Sequence, residues 1–178
     1  MSFHLYFNTL LLTTILPLPN ITVAQSADTT PIDLNNVFSD TTVLVASDGS
    51  SATFNEIPFF SPVSLINDPG LGDTNVIIAD VGTRFLFDFN FTEATTEDDF
   101  FNFSLTGISF GSVFEFSIDF SATGYVAIDM SSLVGNSIGA TFQLGSNFYD
   151  TGSNSTVFIS NVTLSCTELF LKQVLFIC

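Results

Sequence analysis

The side chains able to do chemistry here are mostly carboxylates. Glu97-Asp98-Asp99 is the densest acidic cluster, following Thr95-Thr96 and preceding Phe100. Carboxylate oxygens gathered in a loop are what a hard cation takes. Ca²⁺ is the cation expected there, with Glu97, Asp98 and Asp99 as its ligands and Asp88 or Asp150 joining from elsewhere. The Asp-x-Asp-x-Asp-Gly run of an EF-hand is missing, so a solvated acidic loop is the competing reading. Two carboxylates can also hydrolyse a glycosidic bond, but 18 acidic residues offer many pairs and mark out none. A Ser-His-Asp or Cys-His site needs a histidine, and the one histidine is His4, inside an apolar leader. Neither a phosphate loop nor a dinucleotide fingerprint occurs. The expectation is a protein that is not an enzyme.

Sugar recognition calls for an exposed ring on which a pyranose can stack. There is no Trp, and of the three Tyr one is Tyr6 in the leader. Tyr125 and Tyr149 are therefore the candidate ligand-binding residues, helped by Phe101 or Phe148 if those are exposed. The alternative is that the Phe residues are core and Tyr125 only packs across strands.

Charge narrows the partners. A formal charge of −16, with Arg84 and Lys172 as the only Arg and Lys, repels phosphate backbones and anionic lipids. Nucleic acid is excluded on that ground. The charge attracts cations, or else serves to keep an exported protein soluble. Extracellular polysaccharide or surface proteins are the partners that remain.

The elements that must position these residues read as strands. The 22 Phe, with abundant Ser, Thr, Asn and Gly, suit pleated surfaces and turns. Arg84 to Phe91 puts Phe85, Phe87, Phe89 and Phe91 on one face, with Leu86, Asp88 and Asn90 on the other. Ser112 to Phe120 does the same with Phe114, Phe116, Ile118 and Phe120 against Glu115, Ser117 and Asp119. Such period-two alternation marks half-buried strands. Val126, Ile128 and Met130 point inward from the next strand, and these two strands read as an antiparallel hairpin. Over Asp129 to Gly135 one short helical turn is expected, capped by Asp129 or Ser131, with Leu133 plugging the core and Gly135 ending it. About eight to ten short strands and no amphipathic helix make an all-β, jelly-roll-like antiparallel β-sandwich the expected fold.

The ends complete the organisation. Residues 1–24 read as a signal peptide, with an apolar run from Leu5 to Leu18 broken by Pro17 and Pro19. Cleavage is expected after Ala24, or alternatively after Ala27. The run is short for a membrane span, though an uncleaved signal anchor is the other reading. The mature chain is thus expected to be extracellular or on the cell surface, without a membrane span. Residues 25–40 read as a linker or leading arm, 41–165 as the sandwich, and 166–178 as an apolar C-terminal tail. Cys166 and Cys178 lie at that end, so the body has no disulfide framework and no Cys-based zinc site. Asn-x-Ser/Thr triplets at Asn20, Asn90, Asn102, Asn154 and Asn161 imply glycosylation only in a eukaryotic secretory host.

Two segments carry a resemblance. Asp129-Met130-Ser131-Ser132-Leu133-Val134-Gly135-Asn136 with Ile138 to Leu144 is one, and Asp150 to Leu164 is the other. Together they resemble the closing strands of jelly-roll domains in exported bacterial proteins of the PEP-CTERM-sorted type, which are similar to carbohydrate-binding modules. The resemblance covers about the last half of the chain and implies a β-sandwich that binds or assembles outside the cell. The Pro-Glu-Pro motif of that group does not occur in these residues, and Ser160-Asn161 stands where such proteins often have Asp-Asn.

Overall fold

A computed structural model of the chain describes residues 27–38, 43–57, 62–73, 77–94, 99–107, 111–146 and 155–167. The expected signal peptide and the tail beyond Thr167 lie outside these residues. Eleven strands run in order: β1 (Ala27–Pro31), β2 (Leu44–Val45), β3 (Ser51–Asn55), β4 (Val63–Asn67), β5 (Ile77–Ile78) and β6 (Thr83–Thr92). They continue with β7 (Phe100–Gly107), β8 (Gly111–Ile118), β9 (Ala122–Asp129), β10 (Ser137–Gly145) and β11 (Thr156–Thr167). Helical structure among the described residues is limited to single turns at Leu34–Val37, Pro69–Leu71 and Ser131–Leu133. No helix among the described residues is long and apolar enough to cross a membrane.

The strands form two antiparallel sheets. One runs β2-β3-β11-β6-β9, with β1 beside the second half of β11; the other runs β4-β10-β7-β8, with β5 also beside β10. The eight principal strands thus lie as 3-11-6-9 over 4-10-7-8. That order is two interlocked Greek keys, the jelly roll that the sequence pattern leads one to expect.

Alternation explains why each strand sits as it does. Along β6, Phe85, Phe87, Phe89 and Phe91 are buried, while Arg84, Asp88 and Asn90 face outward. β7 repeats this with Phe101, Phe103 and Leu105 inside. Rings from the two sheets interlock in the middle. Phe87 lies 5.1 Å from Phe142 edge to face, and Phe103 lies 4.7 Å from both Phe87 and Phe142. Tilted and edge-on pairs at these spacings are the favourable ring geometries, so Phe supplies the packing that a buried Trp would otherwise provide.

Two glycines make room for this packing. A Cβ on Gly124 would come within 2.8 Å of the Phe89 ring, and one on Gly139 within 2.8 Å of Thr106 Oγ1. The turn before β10 forms at Ser131–Leu133, but Met130 stands at its N-cap without a side-chain capping bond, so neither Asp129 nor Ser131 is the cap. Asp129 accepts from the backbone N–H of Ser131 at 2.9 Å, Leu133 packs on the core, and Gly135 adopts φ 78°.

Three expectations need correction. The strands of Ser112–Phe120 and Tyr125–Met130 are not a hairpin: β8 pairs with β7, and β9 pairs with β6 in the opposite sheet. Asp119-Phe120-Ser121 carries the chain from one layer to the other. Both strands present an apolar face, and those faces meet across the core rather than side by side. Phe120, read as inward, is exposed in that crossing. The polar segment read as a linker or leading arm instead contains β1, which pairs with β11 from Ala27↔Thr167 to Pro31↔Thr163.

Cys166 is half-buried, with its sulfur 3.8 Å from Thr83 Oγ1. Cys178 lies outside the described residues.

Candidate functional site

The outer face of the β4-β10-β7-β8 sheet carries a cavity. Inward positions of these strands are apolar, so the alternate positions turn polar side chains outward. Register then lines them up in two rows across the sheet. Ser64, Gln143, Asn102 and Ser117 form one, and Ile66, Thr141, Ser104 and Glu115 form the next. Between β10, β7 and β8 these rows floor a trench of about 460 Å³, lined by Asn102, Ser104, Glu115, Ser117, Thr141 and Gln143.

The floor is partly tied down. Gln143 Nε2 donates to Ser64 Oγ at 3.2 Å, which holds one carboxamide across the β10–β4 pair. Asn102 Oδ1 is buried and meets no donor among the described residues. A buried acceptor of that kind is costly, and a donor arriving in the trench offsets the cost. Glu115 is the only carboxylate among the lining residues, and it is exposed. The trench therefore offers donors, acceptors and one charge to a hydroxyl-rich ligand.

The residues expected from the sequence are distributed elsewhere. Tyr125 lies on β9, on the outer face of the other sheet, 61% exposed and opposite Asp88. Phe101, considered as an exposed helper, is completely buried against Phe89 and Phe116. Tyr149 and Phe148 lie outside the described residues, as do Glu97 and Asp98.

Asp99 is described and is turned into the core, 0% exposed, where its carboxylate accepts the hydroxyl hydrogen of Ser155. The Ser155 hydroxyl in turn accepts from Ala94 N–H at 2.8 Å. The backbone N–H of Ser155 donates to Glu56 Oε2 at 3.0 Å, and Glu56 is only 6% exposed. Two buried carboxylates are thus gathered about one serine at the end of the sandwich where β3 and β6 stop and β7 and β11 start. No group of three or more His, Cys, Asp or Glu able to hold a metal occurs among the described residues.

Comparison with known proteins adds two distant likenesses. No family model matches the chain, and no curated protein does. The resemblance to PEP-CTERM-sorted proteins therefore rests on the closing segments alone. Among solved structures, a chain of the Glycosylation Associate Protein (Gap123) complex from Streptococcus agalactiae is similar at 10% identity and a TM-score of 0.34. The match covers 80% of this chain and 44% of that one, so this chain spans less than half its length. The family 11 carbohydrate-binding module of cellulosomal cellulase Lic26A-Cel5E of Clostridium thermocellum is similar at 11% identity and a TM-score of 0.36, covering 81% of this chain and 83% of that one.

The trench was only half visible beforehand. Glu115 and Ser117 stand on the solvent face of a strand by alternation alone. Their meeting with Asn102, Ser104, Thr141 and Gln143 depends on β7 lying between β10 and β8, which is a long-range pairing.

Proposed function

We propose that this chain is an exported, non-enzymatic binding domain whose trench takes an extended, neutral polysaccharide. The observation that carries the reading is the pair of polar rows crossing β10, β7 and β8. Hydroxyl and amide groups at strand spacing suit a ligand that is itself a row of hydroxyls. A lone Glu115 accepts hydroxyls from one sugar but lacks the second carboxylate that glycoside hydrolysis uses. The charge of −16 opposes anionic polymers. Export rests on the apolar leader ahead of Thr22-Val23-Ala24. Kinship with the PEP-CTERM-sorted proteins, and a place at the cell surface or in its matrix, belong to the same proposal.

The test is calorimetric titration with a panel of neutral polysaccharides, on the wild type and on Glu115→Ala and Gln143→Ala. Each variant is expected to weaken binding about tenfold, the loss of one charged or oriented hydrogen bond. Release of reducing sugar by the wild type, abolished in Glu115→Gln, is the result that would replace a binding domain with a hydrolase.

A calcium-dependent form of this reading is favoured by the burial of Glu56 and Asp99 around Ser155. Their carboxylates are the oxygen donors a Ca²⁺ ion takes. A ligand that binds only the folded state raises its stability, so Ca²⁺ is expected to lift the melting midpoint above that in EDTA. Mg²⁺ at equal concentration reports the screening of net charge alone. Equal responses to the two ions would remove calcium from the reading and leave the trench untouched.

A further inference from the structure

The outer face of the six-stranded sheet carries a different arrangement. Strand β6, between β11 and β9, sends all four of its Phe side chains into the core, yet two rings stand outward on the strands either side. Tyr125 on β9 is 61% exposed and Phe158 on β11 is 42% exposed. Register places Tyr125 opposite Asp88 and Phe158 opposite Asn90, with Asn90 opposite Thr123. The rings therefore lie two strands and two residues apart, roughly 12 Å from strand spacing and rise.

The polar groups between them are held in place. Thr123 Oγ1 donates to Asn90 Oδ1 at 2.9 Å. The β11 ladder slips between Ser160 and Thr163, and Asn161 sits in this bulge at φ 53°. Among the described residues it is the one non-glycine with positive φ. A bulge re-aims a side chain, and here it brings Asn161 Nδ2 to Asp88 Oδ2 at 2.6 Å. Asn tolerates the left-handed region better than most residues, yet the conformation is uncommon and marks a place where the fold specifies an orientation.

We propose that this face is a second glycan-binding surface, with Tyr125 and Phe158 as stacking rings for non-adjacent sugars of one neutral chain. The axial C–H groups of a pyranose pack on the electron-rich face of a ring. Asp88, Asn90, Thr123 and Asn161 supply acceptors and donors for the sugar hydroxyls between the rings. Their mutual hydrogen bonds fix them before the ligand arrives, which lowers the ordering cost of binding. The ligand is neutral because Asp88 would repel an acidic chain and this face gathers no cluster of cations. The trench lies on the opposite side of the sandwich, so one domain would hold two chains and bridge them. Bridging rests on the proposed trench function; the second surface does not.

The experiment is affinity electrophoresis of the purified protein in gels containing hydroxyethyl cellulose, mixed-linkage β-glucan, xylan or galactomannan. Turbidity of each polymer solution is read in parallel. Tyr125→Ala and Phe158→Ala are each expected to weaken retardation about tenfold, as loss of an aromatic anchor does. Tyr125→Phe, which keeps the ring, is expected to retain it. Both rings are exposed, so the variants should melt with the wild type, which separates lost binding from lost folding. Polymer cross-linking should need both faces and vanish in either Tyr125→Ala or Glu115→Ala. Retardation that Glu115→Ala weakens and the two ring variants leave intact would overturn the second surface and keep the trench. The reverse pattern would overturn the trench and keep this face. A wild type retarded by no neutral polymer, or one that instead captures a basic polypeptide such as polylysine, overturns the glycan assignment.

Discussion

Phe103 and Phe142 meet with ring centroids 4.7 Å apart at a 44° tilt, one from β7 and one from β10. Both also touch Phe85 and Phe87 from the opposite sheet, so the pair joins the two layers. Phe142→Ala would leave a cavity where four rings converge. The expected loss is about 3–5 kcal/mol. Thermal melting should show the midpoint falling by roughly 10 °C.

Gly139 is expected to resist even the smallest side chain. A Cβ there would sit 2.8 Å from Thr106 Oγ1 and 2.7 Å from the Pro69 ring. Gly139→Ala therefore forces β10 away from its neighbours, at about 1–3 kcal/mol of overpacking strain. Urea unfolding is the check, with a lower midpoint at unchanged slope. Gly72, around which the added atom meets nothing within 4 Å but φ is 102°, should lose less and lose it through backbone strain alone.

Ser155→Ala removes a hydroxyl that donates to Asp99 and accepts from Ala94 N–H, both away from water. The expected destabilisation is about 1–3 kcal/mol, larger than for a surface serine. Ser117→Ala, on an exposed strand position, is the comparison and should change stability little. Equal melting of the two variants would contradict a structural role for the Ser155 bridge.

Asp129 is held below its ordinary value of 3.8, first by the Ser131 hydroxyl, then by the Ser131 backbone N–H, with Arg84 adding attraction. A carboxyl that is more acidic folded than unfolded favours folding above its unfolded value. That favour fades as pH falls from 3.8 toward the folded value. Asp129→Ala should accordingly melt lower than the wild type at neutral pH, and the gap should close below pH 3.8. A gap that stays constant through that window would show that charge on Asp129 contributes nothing. The group is fully exposed, so the effect is small and is read as a difference between the two proteins.

The strands were legible because alternation is local. Phe85, Phe87, Phe89 and Phe91 can share a face only if the chain is extended, and that holds whatever lies next to it. The helical turn at Ser131–Leu133 was legible for the same reason, although Met130 and not Asp129 or Ser131 stands at its N-cap. The pairing of strands was not. Ser112–Phe120 and Tyr125–Met130 are adjacent in the chain and look like partners, yet they sit in different layers because each apolar face needs the opposite sheet to cover it. Tyr125 could be named beforehand as a ring without a core role. Its neighbours Phe158 and Asn161 could not, because they come from β11, at the far end of the chain.

By itself, then, the sequence determined strand-forming segments, a phenylalanine core, an acidic surface and the classes of chemistry open to it. All of these follow from residue type and short-range period. Only the tertiary structure decided which outward faces lie side by side, that Asp99 is inside and that Glu115 shares a trench with Gln143. Those relations depend on contacts between distant segments, and a linear pattern of period two cannot say which strand is next to which.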